Sequence, residues 1–147
     1  MRVRKGTRKD FPDIMRLWLK SFAKGNTPKI AKEYLNERLE RNEILVAVEG
    51  SKVIGFLTFS KNYFLNSDFS QFLAVNKKYR NKGIGTGLMK EFEKQASGRK
   101  CRRVFSSVEP WNRNALRFHK KLGYERCGYI DNIWKEGSRD LFFSKKL

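Results

Sequence analysis

The chain is poor in the residues that make most enzymes legible. It has one histidine, His119, and two cysteines, Cys101 and Cys127, among 147 residues. The cysteines form no CxxC pair, so no zinc knuckle or dithiol redox motif is present, and a cytoplasmic disulfide is not expected. Both read as buried or idle thiols, and no metal is expected. No run of 18 apolar residues occurs, which excludes a membrane-spanning helix. The opening MRVRKGTRKD lacks the apolar stretch of a secretory signal, so the expected location is the cytoplasm. No repeat, linker or low-complexity segment interrupts the chain, and one domain over residues 1–147 is expected. The Walker pattern G-x-x-x-x-G-K-[ST] is missing, which excludes a P-loop.

Acidic residues are scarce as well: Asp+Glu 15 against Lys+Arg 33, a net charge of +18. The surplus attracts anions, among them phosphates, nucleic acid and acidic membrane surfaces. It is spread along the whole chain, as a solvated surface would be. Hydrophobic residues make up 39% and include 12 Phe, enough for a packed core.

Periodicity orders the elements. MRVRKGT reads as a strand with Val3 inward. DFPDIMRLWLKSFAKG reads as a helix with Asp10 as cap, Pro12 in the first turn and Gly25 after its end. Ile14, Leu17, Trp18 and Phe22 share its apolar face. TPKIAKEYLNERLE is a second helix, capped by Thr27, with Ile30, Tyr34 and Leu35 inward. EILVAVEGSKVIGFLTFSK is a hairpin turning at Glu49–Lys52, and residues 62–67 read as a connecting loop. SQFLAVN is a strand, and a helix follows with Ile84, Leu88, Phe92 and Ala96 on one face. RRVFSSVE is a strand, WNRNALRFHKKLG a helix, and YERCGYI and RDLFFSKKL are the last strands. The order β-α-α-β-β-β-α-β-α-β-β describes an α/β fold: a mixed, largely antiparallel sheet flanked by about four helices.

Three glycines, Gly83, Gly85 and Gly87, stand where a helix must begin. Inside a helix each costs roughly 0.5–1 kcal/mol relative to alanine. A glycine-opened helix start lets an anion approach its unpaired N–H groups and positive dipole end. Arg80 and Lys82 add charge, and Thr86 adds a hydroxyl. A dinucleotide fingerprint fits poorly, because Leu88 stands where its third glycine belongs.

The stretch LAVNKKYRNKGIGTGLM resembles the acyl-coenzyme A loop of the GNAT superfamily of N-acetyltransferases, [QR]-x-x-G-x-[GA] after a strand. Here the pattern is Arg80-Asn81-Lys82-Gly83-Ile84-Gly85. A second block, NRNALRFHKKLGY, is similar to that family's N-x-x-[AS]-x-x-[LF]-[YH]-x-K-x-G-[FY], through Asn112, Ala115, Phe118, His119, Lys121, Gly123 and Tyr124. The element order also follows the family's along nearly the whole chain.

The resemblance implies that acetyl-CoA is the cofactor, with its pyrophosphate on residues 80–86. It implies that the FLAV strand splays from its neighbour. Leu73 and Val75 would then pair their backbones with the pantetheine arm, and the Val75 N–H would polarise the thioester. Ala74, Asn112, Ala115, Phe118 and His119 complete the implied cofactor set. A primary amine, on a small molecule or on a protein N-terminus or lysine, would attack directly.

In the family a Tyr often protonates the departing thiolate, and His119 holds that place here. Near pKa 6.5 only about a quarter of a free imidazole is protonated at pH 7. A neutral ring can still donate one N–H to sulfur. Tyr124 and Tyr129 are further donors. The chemistry also calls for a carboxylate near the amine, and Glu109 and Asp68 are the candidates. Trp111, at a strand-to-helix turn, suits a pocket wall, whereas Trp18 suits the core. The alternative is a catalytically weak CoA-binding or basic RNA- or ribosome-associated protein on the same fold. A homodimer is one assembly the sequence leaves open.

Overall fold

The computed structural model describes residues 1–22 and 27–147; Gly25, expected after the first helix, lies outside them. The strands are β1 (Arg2–Lys5), β2 (Ile44–Glu49), β3 (Lys52–Phe64), β4 (Ser67–Val75), β5 (Arg103–Val108), β6 (Glu125–Asp131) and β7 (Arg139–Lys146). The helices are α1 (Phe11–Phe22), α2 (Pro28–Glu40), α3 (Ile84–Gly98) and α4 (Arg113–Lys121). The strands form one sheet in the order β1-β2-β3-β4-β5-β7-β6. Every neighbouring pair is antiparallel except β4 and β5, which are parallel. The expected element order and the largely antiparallel sheet are both present.

Side chains alternate across the sheet, so it carries two apolar faces. One packs Leu45, Leu57, Val104, Val108, Leu141 and Phe143 against Ile84, Leu88 and Phe92 of α3, with half-buried Phe118 of α4 alongside. The other packs Val46, Phe56 and Ala74 against Ile14 and Trp18 of α1 and Leu35 of α2. Among the described residues, no helix is long and apolar enough to cross a membrane.

Three local expectations are corrected. Asp10 closes a turn of 3-10 helix at Arg8–Asp10 that leads into α1. Its carboxylate reaches back to the Thr7 N–H at 2.8 Å and pairs with Arg4 at 2.7 Å, so Thr7 takes the cap position expected of Asp10. Ile30 is exposed, because the buried stripe of α2 runs through Ala31, Leu35, Arg38 and Leu39, one position off. Residues 62–67 are mostly strand: β3 continues to Phe64 and β4 begins at Ser67. Asn62 and Asn66 adopt left-handed backbone, a bulge and a tight turn, which is why the segment reads as a loop.

Candidate active site

β4 and β5 part company midway. Their pairing runs from Ser67–Arg103 to Ser70–Ser106 and ends there, while β4 continues to Val75. Gln71 is an extra residue against β3, since Thr58 pairs with Phe72 and Phe59 with Ser70. Such a bulge bends and twists its strand, and this one lies where the two strands diverge. The Asn76 N–H donates to the Ile54 carbonyl at 2.8 Å, and the Phe72 N–H donates to the Thr58 hydroxyl at 3.2 Å. Peptide groups two residues apart point the same way along a strand. The N–H and C=O groups of Leu73 and Val75 therefore face away from β3, into the wedge that β5 has left. Ala74, between them, turns its peptide group to β3 and its side chain into the α1/α2 core.

The wedge leads to the start of α3. Gly83 is its N-cap at φ 80°, a left-handed conformation that residues with a Cβ rarely adopt. The first intrahelical bond runs from the Gly87 N–H to the Gly83 carbonyl at 2.9 Å, so the Ile84, Gly85 and Thr86 N–H groups have no partner within the helix. No acidic residue lies in this first turn. Arg80 donates from Nε to the Val75 carbonyl at 3.2 Å, and Asn81 is left-handed at φ 61°. The Ile84 side chain is buried and anchors the loop to the core. A Cβ on Gly85 would lie 3.5 Å from the Phe118 ring, at ordinary contact distance, so α3 and α4 lie side by side here. Beside them, Thr86, Lys90, Phe118, Lys121, Leu122 and Lys145 line a recess of about 260 Å³ rich in positive charge.

On α4, Asn112 is the N-cap, accepting the Ala115 N–H at 3.1 Å. Ala115 and Phe118 are half-buried against the α3 core. His119 is buried at 7% exposure. Its Nδ1 lies 2.8 Å from the Ala115 carbonyl, which can only accept, so Nδ1 carries the proton. Its Nε2, 2.8 Å from Ser106 Oγ, then accepts the serine hydroxyl. Burial lowers the pKa of the ring, opposed by the bond to Ala115, and keeps it neutral. A neutral ring has one N–H, and in this geometry Ala115 holds it, which favours the packing role over donation to sulfur.

Two other expected groups are engaged elsewhere. The Tyr124 hydroxyl donates to Glu93 at 3.0 Å in a buried site, where burial and the carboxylate raise its pKa far above the phenol range. Asp68 is fully buried at the start of β4, away from Val75 and the α3 loop. It pairs with Arg99 and accepts the Asn62 N–H at 3.0 Å and the Cys101 thiol at 3.4 Å. Burial and Asp68 push that thiol up to about 11. Both oxygens of Asp68 are thus taken by Arg99, Asn62 and Cys101, which leaves the carboxylate engaged in the core. Glu109, just beyond β5, is half-buried and accepts the indole N–H of exposed Trp111. Tyr129 is exposed under the Arg139 guanidinium, 4.0 Å from its centroid.

The α1/α2 face of the wedge is aromatic. Phe72 of β4 sits 4.6 Å from Trp18, 5.2 Å from Phe22, 5.5 Å from Tyr34 and 6.1 Å from Trp134, between ring centroids. The Tyr34 hydroxyl bonds to Thr58 and Gln71, and burial pushes its pKa up to about 12. Asp140, at 4% exposure on β7, accepts the Trp134 indole N–H at 3.0 Å. Trp18 is core, as its helical spacing implies, but Phe72, Trp134 and Asp140 escape sequence reasoning. The one signal for Asp140 in the sequence is a carboxylate placed directly before the apolar run Leu141-Phe142-Phe143.

Known proteins give the same picture. Residues 11–124 match the model of the Acetyltransferase (GNAT) family. The uncharacterised N-acetyltransferase MJ1207 of Methanocaldococcus jannaschii is 27% identical over 135 residues, covering 84% of this chain and 60% of that longer protein. Ard1 from Thermoplasma volcanium superposes with a TM-score of 0.86 at 23% identity, over 99% of this chain and 97% of that one. An aminoglycoside 6'-N-acetyltransferase in complex with coenzyme A does so at 0.84 and 18% identity, over 99% and 97%. The splayed strands, the glycine-opened helix and the family match agree: the chain belongs to the GNAT acetyltransferase family.

Proposed function

We propose that this chain moves the acetyl group of acetyl-CoA to a primary amine by direct attack, without a covalent enzyme intermediate. The observation that carries the reading is the wedge between β4 and β5, with the Leu73 and Val75 peptide groups facing into it and leading to the open N-terminus of α3. The fit to acetyl-CoA is chemical. A pantetheine amide pairs with a strand edge, and a pyrophosphate suits N–H groups at a helix start. Residues 80–86 hold the diphosphate, and Lys90 and Lys121 add positive charge beside it.

Bound there, acetyl-CoA supplies an activated acetyl group. The chain supplies position and polarity. A backbone N–H of β4 aimed at the carbonyl oxygen stabilises developing negative charge, an effect worth about 3–4 kcal/mol where one such donor has been removed. A thiol is acidic enough to leave as thiolate, so no strong acid is required and His119 is free to serve the core. The amine enters from the α1/α2 face, beside Phe72. Neither cysteine belongs to the wedge: Cys101 is bonded to Asp68 and Cys127 is exposed.

Release of coenzyme A from acetyl-CoA with a panel of primary amines tests the proposal. Amine-dependent release with matching acetylated product is expected. Tight acetyl-CoA binding with no amine acetylated overturns it.

A further inference from the structure

Asp140 is a carboxylate with half of its bonding unexplained. Oδ2 accepts the Trp134 indole N–H, whereas Oδ1 is buried and, among the described residues, has no hydrogen-bond partner. No Lys or Arg pairs with Asp140 among the described residues either. Burying a carboxylate without a cation or a full set of donors is costly, so such a group points to a missing partner.

Register shows which way it faces. Leu141 pairs with Val108 and Phe143 with Ser106, on the α3 side of the sheet. Asp140 therefore projects to the opposite, α1/α2 side. Trp134 ties it to the wedge, with Nε1 on Asp140 and the ring 6.1 Å from Phe72 on β4, two strands away. The indole thus spans from the carboxylate across the mouth of the splay. Glu109 follows Val108 directly, just beyond the end of β5.

We propose that Asp140 Oδ1 receives an N–H of the acceptor amine and takes its proton during transfer. This deepens the acetyltransferase reading and rests on it. The amine nitrogen forms the new bond to the acetyl carbon, its proton passes to Oδ1, and the C–S bond breaks to release the thiolate. Asp140 later returns the proton to water. Phe72 and Trp134 form the wall beside it, so the favoured acceptor carries an apolar group next to its primary amine. A carboxylate between aromatic faces suits such an amine in its neutral and charged forms.

Phenylalaninamide is the probe, with coenzyme A release as readout. Asp140→Asn keeps size and a carbonyl for the Trp134 N–H but removes the base. It should lower kcat/KM at least 100-fold, leave acetyl-CoA affinity within twofold, and retain the melting temperature. Trp134→Phe, which keeps the ring and drops the indole N–H, should lose much less. In Asp140→Ala, added formate should restore part of the rate. If Asp140 merely anchors Trp134, the order reverses: Asp140→Asn behaves as wild type, Trp134→Phe fails, and formate does nothing. Any of these, or a larger loss in Glu109→Gln, overturns the proposal while the acetyltransferase reading stands. A wild-type protein that binds acetyl-CoA and acetylates no amine overturns both.

Discussion

In the proposed acetyl transfer, the two faces of the sheet would serve the two halves of the reaction by different means. The α3/α4 face works through the backbone. Its features are a strand edge released by β5, a left-handed Gly83, and three N–H groups without partners inside α3. The α1/α2 face works through side chains: rings packed around Phe72, and a buried carboxylate held by an indole. Backbone recognition depends on conformation, and conformation needs particular residue types. Side-chain recognition depends on which residues the fold brings together, and many types can serve. A ligand of fixed chemistry, a diphosphate and a pantetheine amide, suits the first face. An acceptor that differs between enzymes suits the second.

The comparison breaks if the faces are not separable, and apart from the Asp140 variants the sharpest probe is the glycine turn. Gly83→Val forces a β-branched residue to φ 80° at the mouth of the proposed diphosphate site. Strain of about 1–3 kcal/mol falls on the conformation that aims the N–H groups. Calorimetry should show acetyl-CoA affinity lowered at least tenfold, about 1.4 kcal/mol. Acceptor preference measured at saturating acetyl-CoA should not change. Gly85→Val should do less, because Gly85 is not left-handed and its Cβ would meet Phe118 at ordinary contact distance.

This division also explains what was legible beforehand. The helix start at Gly83 shows in the sequence because few residues satisfy that left-handed conformation. The strand and helix order followed from periods of 2 and 3.6. Residues 62–67 misled because Asn62 and Asn66 mark a bulge and a turn inside a continuous hairpin. The acceptor side was illegible for a different reason. Phe72 and Trp134 lie 62 positions apart and meet only through strand order, and Asp140 becomes notable only once its second oxygen is found without a partner. Asp68 stood out by its place just before the FLAV strand and His119 by the family's Tyr position, but tertiary neighbours had already taken their bonding capacity.

A second prediction separates structure from chemistry at Asp68. Asp68→Ala leaves its surroundings without the pair to Arg99 and without an acceptor for the Asn62 N–H. Losing one member of a buried pair costs about 3–5 kcal/mol, and the partial exposure of Arg99 favours the lower end. Urea unfolding should show that loss. At temperatures where the variant remains folded, kcat per folded molecule should match wild type. A selective loss of kcat with unchanged stability would return Asp68 to the reaction.

The aromatic wall offers a smaller effect confined to the other face. Phe72→Ala removes the ring around which Trp18, Phe22, Tyr34 and Trp134 gather. For phenylalaninamide, kcat/KM should fall about tenfold more than for methylamine, in line with the 1–3 kcal/mol that one apolar contact contributes to discrimination. Acetyl-CoA affinity should hold. Equal losses for both amines would mean that the ring shapes the wedge rather than selects the acceptor.

The gentlest test concerns His119 and needs only melting curves. In the folded chain burial lowers the imidazole pKa below its ordinary 6.5, and the neutral ring accepts from Ser106 and donates to Ala115. The unfolded chain titrates near 6.5, so just below that pH it binds more protons than the folded chain. Stability therefore rises with pH through this window and levels off above 6.5. The contribution is fully present at pH 7.5 and is lost on acidification toward the folded pKa. The melting temperature of wild type should fall as pH drops from 7 to 5.5. In His119→Gln, which still offers hydrogen-bonding groups but does not titrate, the fall over the same range should be shallower. At pH 7.5, kcat should stay within a few-fold of wild type, because the ring's one N–H is committed to Ala115. A large loss of kcat with an unaltered pH slope of stability would reverse the assignment. His119 would then belong to the thiolate and not to the core, and the cofactor face would carry a side chain as well as a backbone.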